Sequence, residues 1–201
     1  MKRVVPCLLT MVFYIPGALA GIADDGIISD GEYDYGIVVI EDEYLLVTGG
    51  GAYQIEARGL SYIDIRNTSP LSSSGGITIL LLDDYSELLY QGGSTDVLSV
   101  YDNATSAISG GSINYIRSYQ FASTKHIDLY CQPGWQWFYE SDEIAGITGL
   151  WEDSSVFTID FIDKTYLGYD PVWMNINIIE IPEPATLLLL GLGTVLIRRR
   201  R

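Results

Sequence analysis

Outside its carboxylates the chain offers few side chains that could do chemistry. The single histidine, His126, lies in Thr124-Lys125-His126-Ile127-Asp128, five residues before Cys131. With no second histidine and no spaced cysteine pair, zinc ligation or a Cys-His nucleophile would rest on these two groups alone, a poor basis for either chemistry. The sequence contains neither a phosphate-binding Gly-Lys-Ser/Thr loop nor a Gly-x-Ser-x-Gly elbow. Paired acids occur at Asp83-Asp84, Asp142-Glu143 and Glu152-Asp153. Adjacent residues of a strand point to opposite faces, whereas an acid and a nucleophile acting on a sugar need a set separation on one face. A polyuronate lyase would also want a base beside its acids, and bases are scarce. No enzyme activity and no cofactor are therefore expected. Calcium is the one cation considered, because Asp24, Asp25, Ser29, Asp30, Glu32 and Asp34 gather oxygen ligands. Their spacing fits no EF-hand loop, and a solvated acidic turn is the preferred reading.

The charge balance narrows the partners. Of 26 acids only Glu183 falls outside residues 21–181, and of 11 bases only Arg58, Arg66, Arg117, Lys125 and Lys164 fall inside, so this body carries 25 acids against 5 bases, a formal charge of −20. Nucleic-acid binding is excluded by that sign, since phosphate contacts need cationic side chains. Fifteen tyrosines and 21 glycines point to an ordered, β-rich chain.

What must position these groups is a loose internal repeat. Gly-Gly pairs begin at residues 49, 75, 92 and 110, and an acid or Asn (Glu41, Asn67, Asp84, Asp102) stands eight positions before each. Short β-prone stretches follow every pair, among them Tyr53-Gln54-Ile55-Glu56-Ala57 and Ile113-Asn114-Tyr115-Ile116. A period near twenty with glycine at each corner predicts a single-stranded parallel β-solenoid, in which Glu41, Asn67, Asp84 and Asp102 would stack at one corner. An antiparallel meander with Gly-rich hairpins is the alternative. After Cys131 the texture changes. Gln132-Pro133-Gly134 reads as a turn, the aromatic run Trp135-Gln136-Trp137-Phe138-Tyr139 as a cap over the last coil, and alternating stretches up to residue 181 as a small β-rich, sandwich-like module.

Both ends read as targeting segments. Lys2 and Arg3 precede an apolar stretch over residues 4–15, and Ala18-Leu19-Ala20 offers small residues at the Ala18 and Ala20 positions of a cleavage site, so residues 1–20 form a signal peptide handed to the Sec translocon. Cleavage there removes Cys7 and leaves Cys131 alone, with no internal disulfide available. At the other end, Pro182, Glu183 and Pro184 hold the backbone extended, and an apolar run over residues 185–197 follows. That run includes Ala185, Leu187, Leu190 and Ile197, and predicts a short membrane helix of about 20 Å, less than a full bilayer core. Arg198, Arg199, Arg200 and Arg201 act as the cytoplasmic stop.

The string IPEPATLLLLGLGTVLIRRRR closely resembles the PEP-CTERM sorting signal of Gram-negative bacteria, which joins Pro-Glu-Pro, a short hydrophobic helix and an arginine cluster in this order. The resemblance implies that exosortase, a membrane-embedded cysteine protease, reads Pro182, Glu183 and Pro184 and processes the tail. It also implies an inner-membrane intermediate followed by the cell surface or extracellular matrix. Pieces such as VYDNATSAISGGSI resemble the degenerate Gly-Gly repeats of such cargo. The expected organisation is a signal peptide at residues 1–20, a β-solenoid at 21–131, a β-rich cap at 132–181 and the sorting signal at 182–201, with short hydrophobic helices at both termini. The expected role is structural or adhesive, with carbohydrate binding or carbohydrate activity on a solenoid face as the alternative and an extracellular polysaccharide as its partner.

Overall fold

The computed structural model describes residues 26–120 and 126–182. The expected helices at both termini, the signal-cleavage residues and the sorting tail beyond Pro182 lie outside these residues.

The described chain is all-β, with parallel pairing throughout its first part, as expected of a solenoid. Seven strands form one sheet: β1 (Ile27–Ile28), β3 (Tyr44–Val47), β5 (Tyr62–Ile65), β7 (Glu87–Tyr90), β9 (Thr105–Ile108), β11 (Ile127–Cys131) and β15 (Ile176–Glu180), in that order. Eight form the other. Its first five are β2 (Tyr33–Val39), β4 (Gly51–Ala57), β6 (Gly76–Leu82), β8 (Ser94–Tyr101) and β10 (Ser112–Tyr119). The chain alternates between the sheets, so every pairing within this part joins one coil to the next in parallel. The antiparallel alternative is confined to the end: β14 (Val156–Ile162) pairs in parallel with β10, then β13 (Glu143–Leu150) and β12 (Gln136–Glu140) add antiparallel. Strands on both sides of residue 131 thus belong to the same two sheets.

Alternation along each strand builds the core. Ile37, Ile55, Leu80, Leu98 and Ile116 are register partners in successive coils and all are buried. Val47, Ile65, Tyr90, Ile108 and Leu129 form the facing row. Each fully buried aliphatic side chain contributes about 1.5–3 kcal/mol, and each coil supplies such residues to both sheets.

The register also corrects the repeat. Val39 pairs with Ala57, Ala57 with Leu82 and Leu82 with Val100, giving coils of 18, 25 and 18 residues. Residues 69–75 are an insertion in the longer coil, closed by Ser72 donating to the Gly75 carbonyl at 3.0 Å. This loop carries the Gly75-Gly76 pair out of phase. Counting eight back from it reaches Asn67, which lies at the opposite corner from Glu41, Asp84 and Asp102; the residue that aligns with those acids is Gly59, and Gly59 N–H donates to Asp84 Oδ2 at 3.3 Å.

Glycine at the second corner meets a spacing constraint. Gly93 has φ +92°, and a Cβ placed there would lie 2.5 Å from Thr68 N and 2.7 Å from Thr68 Oγ1 of the coil below. Gly134 also has a positive φ, +100°, but faces open space. Gly93→Ala is therefore expected to cost about 2 kcal/mol or more, and Gly134→Ala only the backbone strain of about 1–2 kcal/mol. Urea midpoints at unchanged m-value check the difference.

Candidate functional site

Two regions gather polar or aromatic side chains. The first is the corner between β2-type and β3-type strands, where the turn residues Glu41, Asp84 and Asp102 take φ of 58°, 57° and 45°. Short acidic side chains tolerate this left-handed conformation better than branched ones. Backbone bonds carry the coil stacking through the turn, with Tyr85 N–H donating to the Gly59 carbonyl at 3.1 Å and Asn103 N–H to the Asp84 carbonyl at 2.9 Å. One carboxylate oxygen each from Asp83, Asp84 and Asp102 lies within 4.8 Å of the others. The pair Asp83-Asp84 was expected to diverge, as strand neighbours do. In the turn the two instead converge with Asp102, while Asp84 Oδ2 also accepts from Gly59 N–H of the preceding coil. Partial desolvation and the charge and hydrogen bond of Asp83, with a smaller effect of Asp84, raise the Asp102 pKa.

The acids near the start of the described chain behave differently. Glu32 Oε2 accepts from Ser29 N–H at 2.6 Å and from Ser29 Oγ at 2.9 Å, closing a local turn. Asp24 and Asp25 of the proposed calcium set lie outside the described residues. His126 immediately precedes β11 and Cys131 ends it, roughly 16 Å apart along the strand direction, too far for a dyad. Cys131 is fully buried, and burial, then the Glu180 charge, pushes its thiol up to about 11. Such a thiol packs and does not attack.

The second region is the end of the coil where the tail leaves. β15 and β12 are the last strands of their sheets, and no described strand lies beyond either. Ile181 N–H donates to the Cys131 carbonyl at 2.9 Å, so the chain is held to β11 up to this residue, and Pro182 is exposed. Between the two edges runs a cleft of about 510 Å³ lined by Trp135, Trp137, Trp173, Met174 and residues 176–178 of β15. Trp135 stacks edge-on against Trp137 with centroids 5.2 Å apart, Trp137 contacts Phe161 at 6.0 Å, and Trp135 Nε1 donates to Glu180 Oε1 at 3.0 Å. Trp135 and Trp137 pack against the core, as an aromatic cover over the last coil would. Trp173, in the one-turn helix α1 (Val172–Asn175), was not foreseen; nothing in its flanking sequence marks it as a neighbour of residues 135–137. Among the described residues no helix is long and apolar enough to cross a membrane.

The final strand, β15, thus runs directly into the exposed Pro182. Residues 180–201 match the PEP-CTERM protein-sorting motif, which places a PEP-CTERM sorting element at the end of the chain. That motif supports export to the cell surface or extracellular space and implies exosortase as the processing partner. No curated protein and no solved structure shows significant similarity to the chain.

The acid corner yields a pH prediction. The folded pKa of Asp102 lies above its ordinary 3.8, so the folded state holds the proton more tightly and stability declines as pH rises through that interval. Asp102→Asn keeps the turn conformation and removes the charge. Its melting temperature is expected to exceed wild type at pH 7, with the gain shrinking below pH about 4; a gain independent of pH would trace the effect to the turn backbone instead.

Proposed function

We propose that the protein is a non-enzymatic, exosortase-sorted component of the cell envelope or extracellular matrix, a β-solenoid with a structural or adhesive role. The observation that carries this reading is the continuity of edge strand and sorting motif: Glu180 is both the last residue of β15 and the first residue of the motif. A processing enzyme acting there would act on a chain already ordered up to its recognition element. The non-enzymatic part is supported by the carboxylates, which converge at an exposed turn, and by the distance between His126 and Cys131. Binding of an extracellular polysaccharide is the second reading, supported by exposed Tyr35 stacked on Tyr53 at 5.0 Å, an aromatic surface on the outside of the coil.

Intact mass of the protein from hosts with and without exosortase tests the route. Loss of Arg198, Arg199, Arg200 and Arg201 is expected only where the enzyme is present, and a Pro182→Ala, Pro184→Ala double variant should keep these four residues in both hosts. A wild-type tail retained in the presence of the enzyme would make the protein a tail-anchored envelope component.

A further inference from the structure

We infer that the tryptophan end of the coil is a membrane-contact surface that seats the folded body on the outer face of the lipid bilayer before the tail is processed. This rests on the reading that residues 185–197 enter the bilayer. The chain length then leaves little freedom. From Pro182, where the described chain ends, to Ala185, where the apolar run begins, three residues reach at most about 11 Å. The end face formed by β12 and β15 is consequently held within the headgroup layer or just above it.

The residues on that face suit the place. Tryptophan and tyrosine concentrate at membrane–water interfaces because each carries an apolar ring and a polar donor. Trp173 is 37% exposed and borders two clefts at once, the one beside β15 and a second of about 450 Å³ that Tyr139 also lines. Tyr139 is 63% exposed, and in the 3-10 turn Thr165–Leu167, whose first residue lines the second cleft, Tyr166 and Leu167 are 74% and 56% exposed. Tyr139, Tyr166 and Leu167 are among the more exposed large apolar side chains of the described residues, and the cleft they adjoin shares Trp173 with the cleft beside β15, the strand from which the tail leaves. By contrast Trp151 is 1% exposed, with Nε1 donating to the Gly111 carbonyl at 2.8 Å.

Charge selects the lipid. Asp142, Glu143 and Asp163 line the second cleft and Glu180 flanks the first, and among the described residues no Lys or Arg lines either cleft. An acidic rim is repelled by anionic headgroups, so the surface fits a zwitterionic bilayer such as phosphatidylethanolamine or phosphatidylcholine.

The test uses the full-length chain reconstituted in phosphatidylethanolamine–phosphatidylcholine vesicles, with and without lipid brominated near the headgroup end of its acyl chains. Tryptophan emission is expected to fall about twofold with the brominated lipid, with Trp151 supplying the residue that is not quenched. Trp173→Phe should reduce the quenched fraction, and phosphatidylglycerol in place of part of the lipid should weaken quenching. Protein that floats with the vesicles while its emission is the same in both lipids overturns the inference and leaves the tail reading intact. If unchanged emission is accompanied by a concentration-dependent dimer, the face belongs to a second copy. Protein that does not float overturns the tail reading, and this inference falls with it.

Discussion

The distance between stacked coils governs the rest of the molecule. Parallel strands repeat at about 4.8 Å, so whatever one coil places at a given position meets its counterpart in the next at that spacing. At the second corner the backbones approach so closely that a Cβ at Gly111 would lie 2.8 Å from Gly93 O and 2.8 Å from the Tyr90 ring. Glycine is required there by its neighbours as much as by its own dihedral angle. On the outer faces the same spacing is an advantage. Tyr101 and Tyr119 stack at 4.2 Å with their planes 5° apart, and Asn114 donates to Asp96 at 2.8 Å across a pair of coils. Each aromatic pair adds about 0.5–1.5 kcal/mol beyond its area burial.

The first corner shows the cost of repetition. A turn that favours Asp or Glu in one coil favours it in the next, so carboxylates accumulate in a column. Gly59 interrupts that column, and its N–H gives Asp84 a donor where an acid would have given a repelling charge. Above it Asp102 is partly desolvated and lies beside Asp83, with Asp84 adding a smaller repulsion, and its proton affinity rises accordingly. The convergence follows from coil stacking and needs no ligand to explain it.

How much of this was legible depended on which residues were compared. The parallel coil, its corner glycines and the alternating core could be read from Gly-Gly recurrence and from segments such as Ile113-Asn114-Tyr115-Ile116. The phase could not be read from Gly-Gly alone, because Gly75-Gly76 closes an insertion. Tyrosines hold the truer record: Tyr35 and Tyr53, Tyr44 and Tyr62, and Tyr101 and Tyr119 are stacked pairs separated by a coil of 18 residues each. Side-chain identity at that offset would have placed Asn67 at its own corner. The tail was legible because its features are contiguous. The cleft beside it was not, since Trp173 and Trp135 come together only through the pairing of β11 with β15 and the extension of the other sheet by β12, β13 and β14.

The coil also separates two properties that most folds tie together. Apart from the insertion at residues 69–75, each coil of the parallel part is closed by the same two corners and lined by the same inner rows, so length is set by the number of coils. Duplication or loss of a gene segment encoding one whole coil would change how far the protein projects by a single strand spacing, and would leave both the corner chemistry and the exit of the tail untouched. Reach is thus a quantity that evolution can adjust in discrete steps, independently of the sorting signal and of the surface that adjoins it.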